Sequence, residues 1–322
     1  MIYTLGSFSA IFLGFWLVLG IVFLALYPLL RSAFLALHPR LGSALLLAYW
    51  TGPFLLSLIS TGFLFMPRVE SVLVDAHCHE ACSSHVPLIH SLGLASIGLA
   101  ACTAVLLYLA LRCARMLRQS WQLRTQFGFL AQNEGAYHLL RAASPLVFTL
   151  GWWRPRISVS EGLSDACSQN DLAIILRHEQ AHQERRDNLR LLTARLCSAV
   201  LGGRLAGLVL SDLQLLTEQA CDFRAAETHG HVAVAETLLK IKRLLTLAPA
   251  EVPAMAMAFA ERDVELRIRA LLRTQPRISL HSWQIAVLLA ALLLSMSLLI
   301  SPLHHGSEWL ITALSGFHMH LN

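Results

Sequence analysis

The 322-residue chain is 56% hydrophobic and only 14% charged, with a formal net charge of +5. Soluble domains carry about 25% charged residues, so this composition excludes an ordinary cytosolic enzyme, and the apolar excess excludes a disordered chain. Of the 25 Lys and Arg, 22 lie between Arg112 and Arg277, as do 16 of the 20 acids. One soluble segment in an otherwise uncharged membrane protein is the expected organisation. The basic excess belongs to that segment, and direct nucleic-acid binding is not expected.

A helix needs roughly 20 apolar residues to cross a bilayer. Residues 8–30, 45–66 and 92–111 meet this requirement, as does a fourth stretch within 281–301; their apolar cores hold no Lys, Arg, Asp or Glu. The first lacks the positive lead and cleavage site of a signal peptide, so it reads as a mature span. Gly52-Pro53 predicts a kink in the second. Arg31 and Arg40 lie between the first two spans, and Arg112, Arg115, Arg118 and Arg124 follow the third. The loop between spans two and three instead balances Arg68 against Glu70, Asp75 and Glu80. The distribution of Lys and Arg predicts both termini outside and residues 112–280 inside.

The predicted outer loop, 67–91, contains His77, Cys78, His79, Cys82 and His85, then His90. The tail, 302–322, adds His304, His305, His318 and His320. Two readings stand: a Cys78–Cys82 disulfide with incidental histidines, or a site for copper or zinc. Cys113, Cys167, Cys197 and Cys221 lie in or beside the inner segment and are expected as reduced thiols.

Within the inner segment, residues 145–150 and 156–160 read as short strands around a turn at Gly151. Two readings stand: one is an edge strand that pairs with extended substrate, or the two form a hairpin that only packs on the next helix. Trp152 and Trp153 read as core or membrane-interface residues. Ser168 and Asp171 form a capping box, and Leu172, Ile175, Leu176 and Ala181 give the following helix an apolar stripe.

That helix carries His178-Glu179-Gln180-Ala181-His182. Histidines at i and i+4 share a face and can reach one zinc ion, with Glu179 placed to act as general base. Arg185 and Arg186 read as solvated, and Asp187 as a tie to a neighbouring element. The apolar run 191–210 is interrupted by Arg195 and Arg204. A central Arg makes a fifth span unfavourable, so this run is expected to be a helix packed in the domain or resting at the inner membrane surface. Glu218 and Asp222 follow on a helix expected to open at Ser211 or Asp212. Glu218 is the expected third zinc ligand, and Asp222 the expected acceptor from a liganding histidine. The alternative for this pair is a solvated acidic face. His229 and His231 read as loop histidines where a helix ends at Gly230, with one of them steadying a tetrahedral intermediate as the alternative.

These residues resemble a known family. The run from His178 to Asn188, the segment Glu218-Gln219-Ala220-Cys221-Asp222, the strand from Gly151 to Leu163, and Phe259 with Arg267-Ile268 look like the BlaR/MecR-type antirepressor family of integral-membrane gluzincin zinc metallopeptidases. The layout of spans around an inner zinc domain is similar as well. The expected fold is therefore mainly α and polytopic, in a bacterial inner membrane. Residues 1–111 supply three spans and 112–280 form a zinc peptidase domain of helices plus a small sheet. A fourth span at 281–301 and the short tail 302–322 follow. The resemblance implies proteolysis of a small winged-helix repressor of the BlaI/MecI/CopY kind in response to an extracytoplasmic signal. The penicillin-binding sensor domain of the antibiotic receptors has no counterpart here, so a beta-lactam receptor role is not expected.

The expected enzyme is thus a zinc endopeptidase with His178, His182 and Glu218 as ligands, Glu179 as base and Asp222 supporting a ligand. Its signal is expected to be copper or zinc at the outer loop, and membrane lipid and a homodimer are further expected partners. Two alternatives remain: an HtpX-like quality-control peptidase, and a non-proteolytic metal-binding signal transducer.

Overall fold

The computed structural model describes residues 1–66, 88–89, 91–128, 131–247, 254–273 and 306. Among the described residues, three helices are long and apolar enough to cross a membrane: α1 (Ile2–Ala36), α2 (Pro39–Leu64) and α3 (Leu92–Gly128). At 1.5 Å per residue, the 35 residues of α1 reach about 52 Å, well beyond a hydrocarbon core of about 30 Å. The first two helices begin before the expected spans and the first and third run past them, because a helix continues wherever its backbone bonds remain favourable, whether or not lipid surrounds it. Thus α3 runs through Arg112, Arg115, Arg118 and Arg124 without a break. Residues 67–87, with His77, Cys78, His79, Cys82 and His85, lie outside the described residues. So do the expected fourth span and the tail apart from Gly306.

Helices α1 and α3 approach through small residues. A Cβ on Gly6 would sit 2.3 Å from the Ala95 carbonyl oxygen, and one on Gly98 would sit 2.7 Å from the Ala10 Cβ. Such close backbone approach is how membrane helices gain packing where the hydrophobic effect offers little.

After α3 comes a four-stranded sheet of β1 (Ala131–Asn133), β2 (His138–Leu140), β3 (Val147–Leu150) and β4 (Arg156–Ser160), ordered β1-β2-β4-β3. The expected hairpin is β3 with β4, antiparallel, with Phe148 opposite Ser158. Strand β2 pairs parallel with β4, and β3 remains at the edge. Ile157 and Val159 turn inward and pack with Leu163 and Ile175 under the sheet.

The remaining elements are α4 (Glu161–Ala166), α5 (Gln169–Arg185), α6 (Asp187–Leu201), α7 (Gly203–His229), α8 (His231–Leu247) and α9 (Ala254–Leu271). The Ser168–Asp171 capping box opens α5 as expected. Two expectations are corrected. The run 191–210 is not one helix; it breaks at Gly202 and Gly203, both at positive φ, which favours glycine. The helix bearing Glu218 opens at Gly203 rather than at Ser211 or Asp212, because Asp212 is buried mid-helix against α1. There it accepts hydrogen bonds from Tyr27 (2.7 Å) and Arg31 (2.5 and 2.9 Å).

Helices α6 and α7 share a core with the first two apolar helices. Tyr27 and Leu46 with Trp50 pack against Ala194 of α6 and Ala206, Val209, Leu213 and Leu216 of α7. The Trp50 indole N–H donates to the Ala194 carbonyl at 3.0 Å. Helix α7 is therefore gripped by α1 and α2 in its first half and free to build a site in its second.

Candidate metal centre and active site

Two helices bring the predicted ligand atoms together. On α5, the Nε2 atoms of His178 and His182 lie 3.2 Å apart. On α7, the Glu218 carboxylate approaches them at 3.4 Å and 3.5 Å. Zinc–nitrogen bonds of 2.0–2.1 Å in a tetrahedron place neighbouring donor atoms about 3.3 Å apart. The three observed separations fit that spacing, and the two-imidazole, one-carboxylate donor set suits zinc.

The other ring nitrogens are held by carboxylates. Asp222, fully buried, lies 3.0 Å from His178 Nδ1, and Asp187 lies 2.9 Å from His182 Nδ1. Carboxylates at these positions fix the tautomer that points Nε2 toward a metal. Burial pushes the His178 imidazole down, but Asp222 and Glu218 outweigh it and raise it above the ordinary value. Burial likewise pushes Glu218 up, and Arg267 with the two histidines overrides this and holds it well below the carboxylate range. The pocket is thus built to stabilise a cation.

Asp187 was expected to tie the zinc helix to a neighbour. It does so by a route that helical spacing cannot show, being five residues from His182. Arg186 adopts the left-handed conformation (φ 52°, ψ 45°), which ends α5, starts α6 and folds Asp187 back under His182. Arg185 and Arg190 both donate to Asp187, so Arg185 is not merely solvated. Arg185 also donates to Ser43 of α2 at 2.8 Å.

Arg267, which the sequence offered only as part of a family resemblance, sits behind the ligands. Its guanidinium grips Asp222 with two hydrogen bonds of 2.7 Å and lies 3.1 Å from Glu218. Cys221 lies 3.3 Å from His182 Nδ1. Cys221, His182 and Asp187 gather three further donor atoms. Burial pushes the Cys221 thiol up to about 12, and Asp187 is already engaged by arginines, so this trio supports His182 rather than forming a second centre.

Glu179 lies beside the ligands on α5 and is buried. The Thr149 hydroxyl donates to its Oε2 at 2.6 Å, a partner that nothing in the spacing predicted. Thr149 belongs to edge strand β3; its carbonyl and that of Gly151, just past the strand, accept from Asn188 at 2.9 Å. The strand thus borders the active-site cleft. A cavity of about 140 Å³ opens there, lined by Val147 of the strand, by Glu179 and Glu218, and by Ile174, Leu238 and Ile241. His229 ends α7 and His231 starts α8, where its ring meets Phe223 edge-on; neither belongs to the ligand group.

No curated protein and no solved structure matches the chain. Residues 136–267 match the model of Peptidase family M48, a stretch that holds the sheet from β2 onward, every predicted ligand, Glu179 and Arg267. These residues form a Peptidase family M48 domain, a metallopeptidase unit of gluzincin type, and among the described residues three membrane-length apolar helices accompany it.

Proposed function

We propose that the protein is a membrane-embedded zinc endopeptidase that passes an extracytoplasmic signal inward by cleaving a cytoplasmic regulator, a BlaI/MecI/CopY-like repressor. The proteolytic part rests on one observation: a buried glutamate, Glu179, beside a three-donor group of zinc spacing and next to an edge strand. His178, His182 and Glu218 would hold zinc, which would supply Lewis acidity. Glu179 takes a proton from the attacking water and delivers it to the leaving amine. The Thr149 hydroxyl fixes the Glu179 carboxylate, and β3 aligns the substrate backbone by strand pairing. Asp222 and Asp187 keep the two imidazoles aimed.

The signalling part is supported by physical continuity. His182, Asp187, Arg185 and Ser43 form an unbroken chain of polar contacts from the ligand group into α2. A shift of the spans therefore bears directly on a ligand's partner. Copper or zinc at His77, Cys78, His79, Cys82 and His85 is the proposed signal.

The second reading is an HtpX-like quality-control peptidase. It is favoured by the packing of α7 on α1 and α2, which holds the site within reach of the spans and hence of membrane substrates. Full-length protein in membrane vesicles, incubated with a winged-helix repressor encoded beside it, separates the readings. Cleavage by wild type and not by Glu179→Gln supports the signalling protease. Degradation of unfolded membrane proteins with the repressor intact supports quality control, and repressor cleavage by Glu179→Gln at the wild-type rate overturns the mechanism.

A further inference from the structure

The tip of the α6–α7 hairpin lies deep along the spans. Val200 packs against a cluster of Phe12, Trp16 and Cys102, together with Val105 and Leu109. A Cβ on Gly20 would meet the Leu201 side chain at 2.6 Å. Gly20 precedes the first charge on α1, Arg31, by eleven residues, or about 16 Å of helix. On α3, Leu109 precedes the first charge, Arg112, by a single turn. The tip therefore sits where the helices around it are apolar or only beginning to carry charge.

Two exposed arginines flank this tip, Arg195 on α6 and Arg204 on α7. Residues 188–211 contain no Asp or Glu, and among the described residues neither arginine has an ion-pair partner. Arg190, in the same stretch, is already paired with Asp187. Leu205, beside Arg204, is 38% exposed. An arginine at such depth is tolerated when its apolar stem lies along lipid and its guanidinium reaches an anion at the interface. Among the described residues no carboxylate is paired with either arginine, whereas a phospholipid leaflet supplies anions.

We propose that the α6–α7 hairpin docks into the leaflet on the peptidase side, with Arg195 and Arg204 pairing to anionic phospholipid headgroups. Apolar continuity with the spans seats the hairpin, and charge complementarity selects the lipid. Helix α7 also carries Glu218 and Asp222, so the lipid contact fixes the end of the helix that delivers the third donor.

The test uses the full-length protein in detergent, titrated with phosphatidylglycerol or phosphatidylcholine, with retained lipid counted by native mass spectrometry. Each basic residue near an anionic surface contributes about a five-fold preference, so two should give roughly 25-fold for phosphatidylglycerol. Arg195→Gln with Arg204→Gln should abolish most of that preference while zinc content, read by metal analysis, stays at the wild-type level. An undiminished preference in the double variant overturns the proposal, as does a wild type without preference. Displacement of the lipid by excess inorganic phosphate would also overturn it, marking a free-phosphate site instead. A fluorophore on Leu205→Cys gives an independent reading in vesicles: quenching by headgroup-labelled lipid is expected, and an unquenched probe overturns the docking. Neither readout requires proteolysis, so failure of the peptidase reading is distinguishable from failure here.

Discussion

Arg267 holds Asp222 through two parallel hydrogen bonds of 2.7 Å, and Asp222 in turn lies 3.0 Å from the ring of His178. The carboxylate is fully buried, so its charge depends on that guanidinium. Removing one partner of a buried ion pair costs about 3–5 kcal/mol because the other charge is left uncompensated. Arg267→Met is therefore expected to lower the thermal midpoint sharply and to reduce zinc retention. Adding Asp222→Asn to that variant should recover much of the stability but not the zinc affinity. Differential scanning fluorimetry and metal analysis of the two variants check this, and a second substitution that recovers nothing would refute the pairing.

Asp187 and His182 offer a second test. Mutation of a carboxylate that orients a liganding histidine weakens metal binding about 10–100-fold. Asp187→Asn should fall in that range in a chelator competition. Because the same carboxylate engages Arg185, which reaches Ser43 in α2, the variant should also uncouple proteolysis from the signal. Ser43→Ala, which touches no donor atom, should leave zinc affinity unchanged and alter only the response.

For catalysis, Glu179→Gln is expected to keep zinc and lose measurable proteolysis. Thr149→Val removes the hydroxyl that holds Glu179 at 2.6 Å. Its expected effect is a fall in kcat by about ten-fold, in line with loss of one positioning hydrogen bond of about 1.5 kcal/mol to a charged group. Steady-state kinetics on a peptide substrate would show it; a change confined to KM would argue against a role in positioning the base.

The N-terminus of α5 gives a pH prediction. Burial pushes the Asp171 carboxyl up, but hydrogen bonds from Lys240, Ser168 and Thr237 outweigh it and bring it down to about 2. The unfolded value is about 3.9. A depressed carboxyl stabilises the fold fully above the unfolded value, and the contribution is lost as pH falls through about 2. Wild type should therefore be more stable than Asp171→Asn at neutral pH, with the gap closing between roughly pH 4 and pH 2. Thermal unfolding in detergent across that range measures the gap, and a constant difference would count against the capping role. Ser168→Ala should cost about 1 kcal/mol at neutral pH.

The sequence determined the local chemistry of this protein. Apolar runs without charge marked α1, α2 and the first part of α3, since burying backbone in lipid leaves a helix as the economical solution. The i, i+4 spacing of His178 with His182 and of Glu218 with Asp222 placed each pair on one helix face, a consequence of 3.6 residues per turn. The Ser168–Asp171 box marked the start of α5 because its two hydrogen bonds are local.

Only the tertiary structure decided which partners the donors use. Thr149 meets Glu179 across 30 residues, and Arg267 meets Asp222 across 45. No periodicity encodes such contacts, which arise when a sheet edge and α9 dock on the α5–α7 pair. Asp187 reaches His182 only because Arg186 turns left-handed. The break at Gly202 and Gly203, and Asp212 drawn into α1 by Arg31 and Tyr27, follow from α6 and α7 packing on the spans. That packing was invisible in a pattern of apolar residues, because a face buried against a membrane helix and one buried in a soluble core have the same composition.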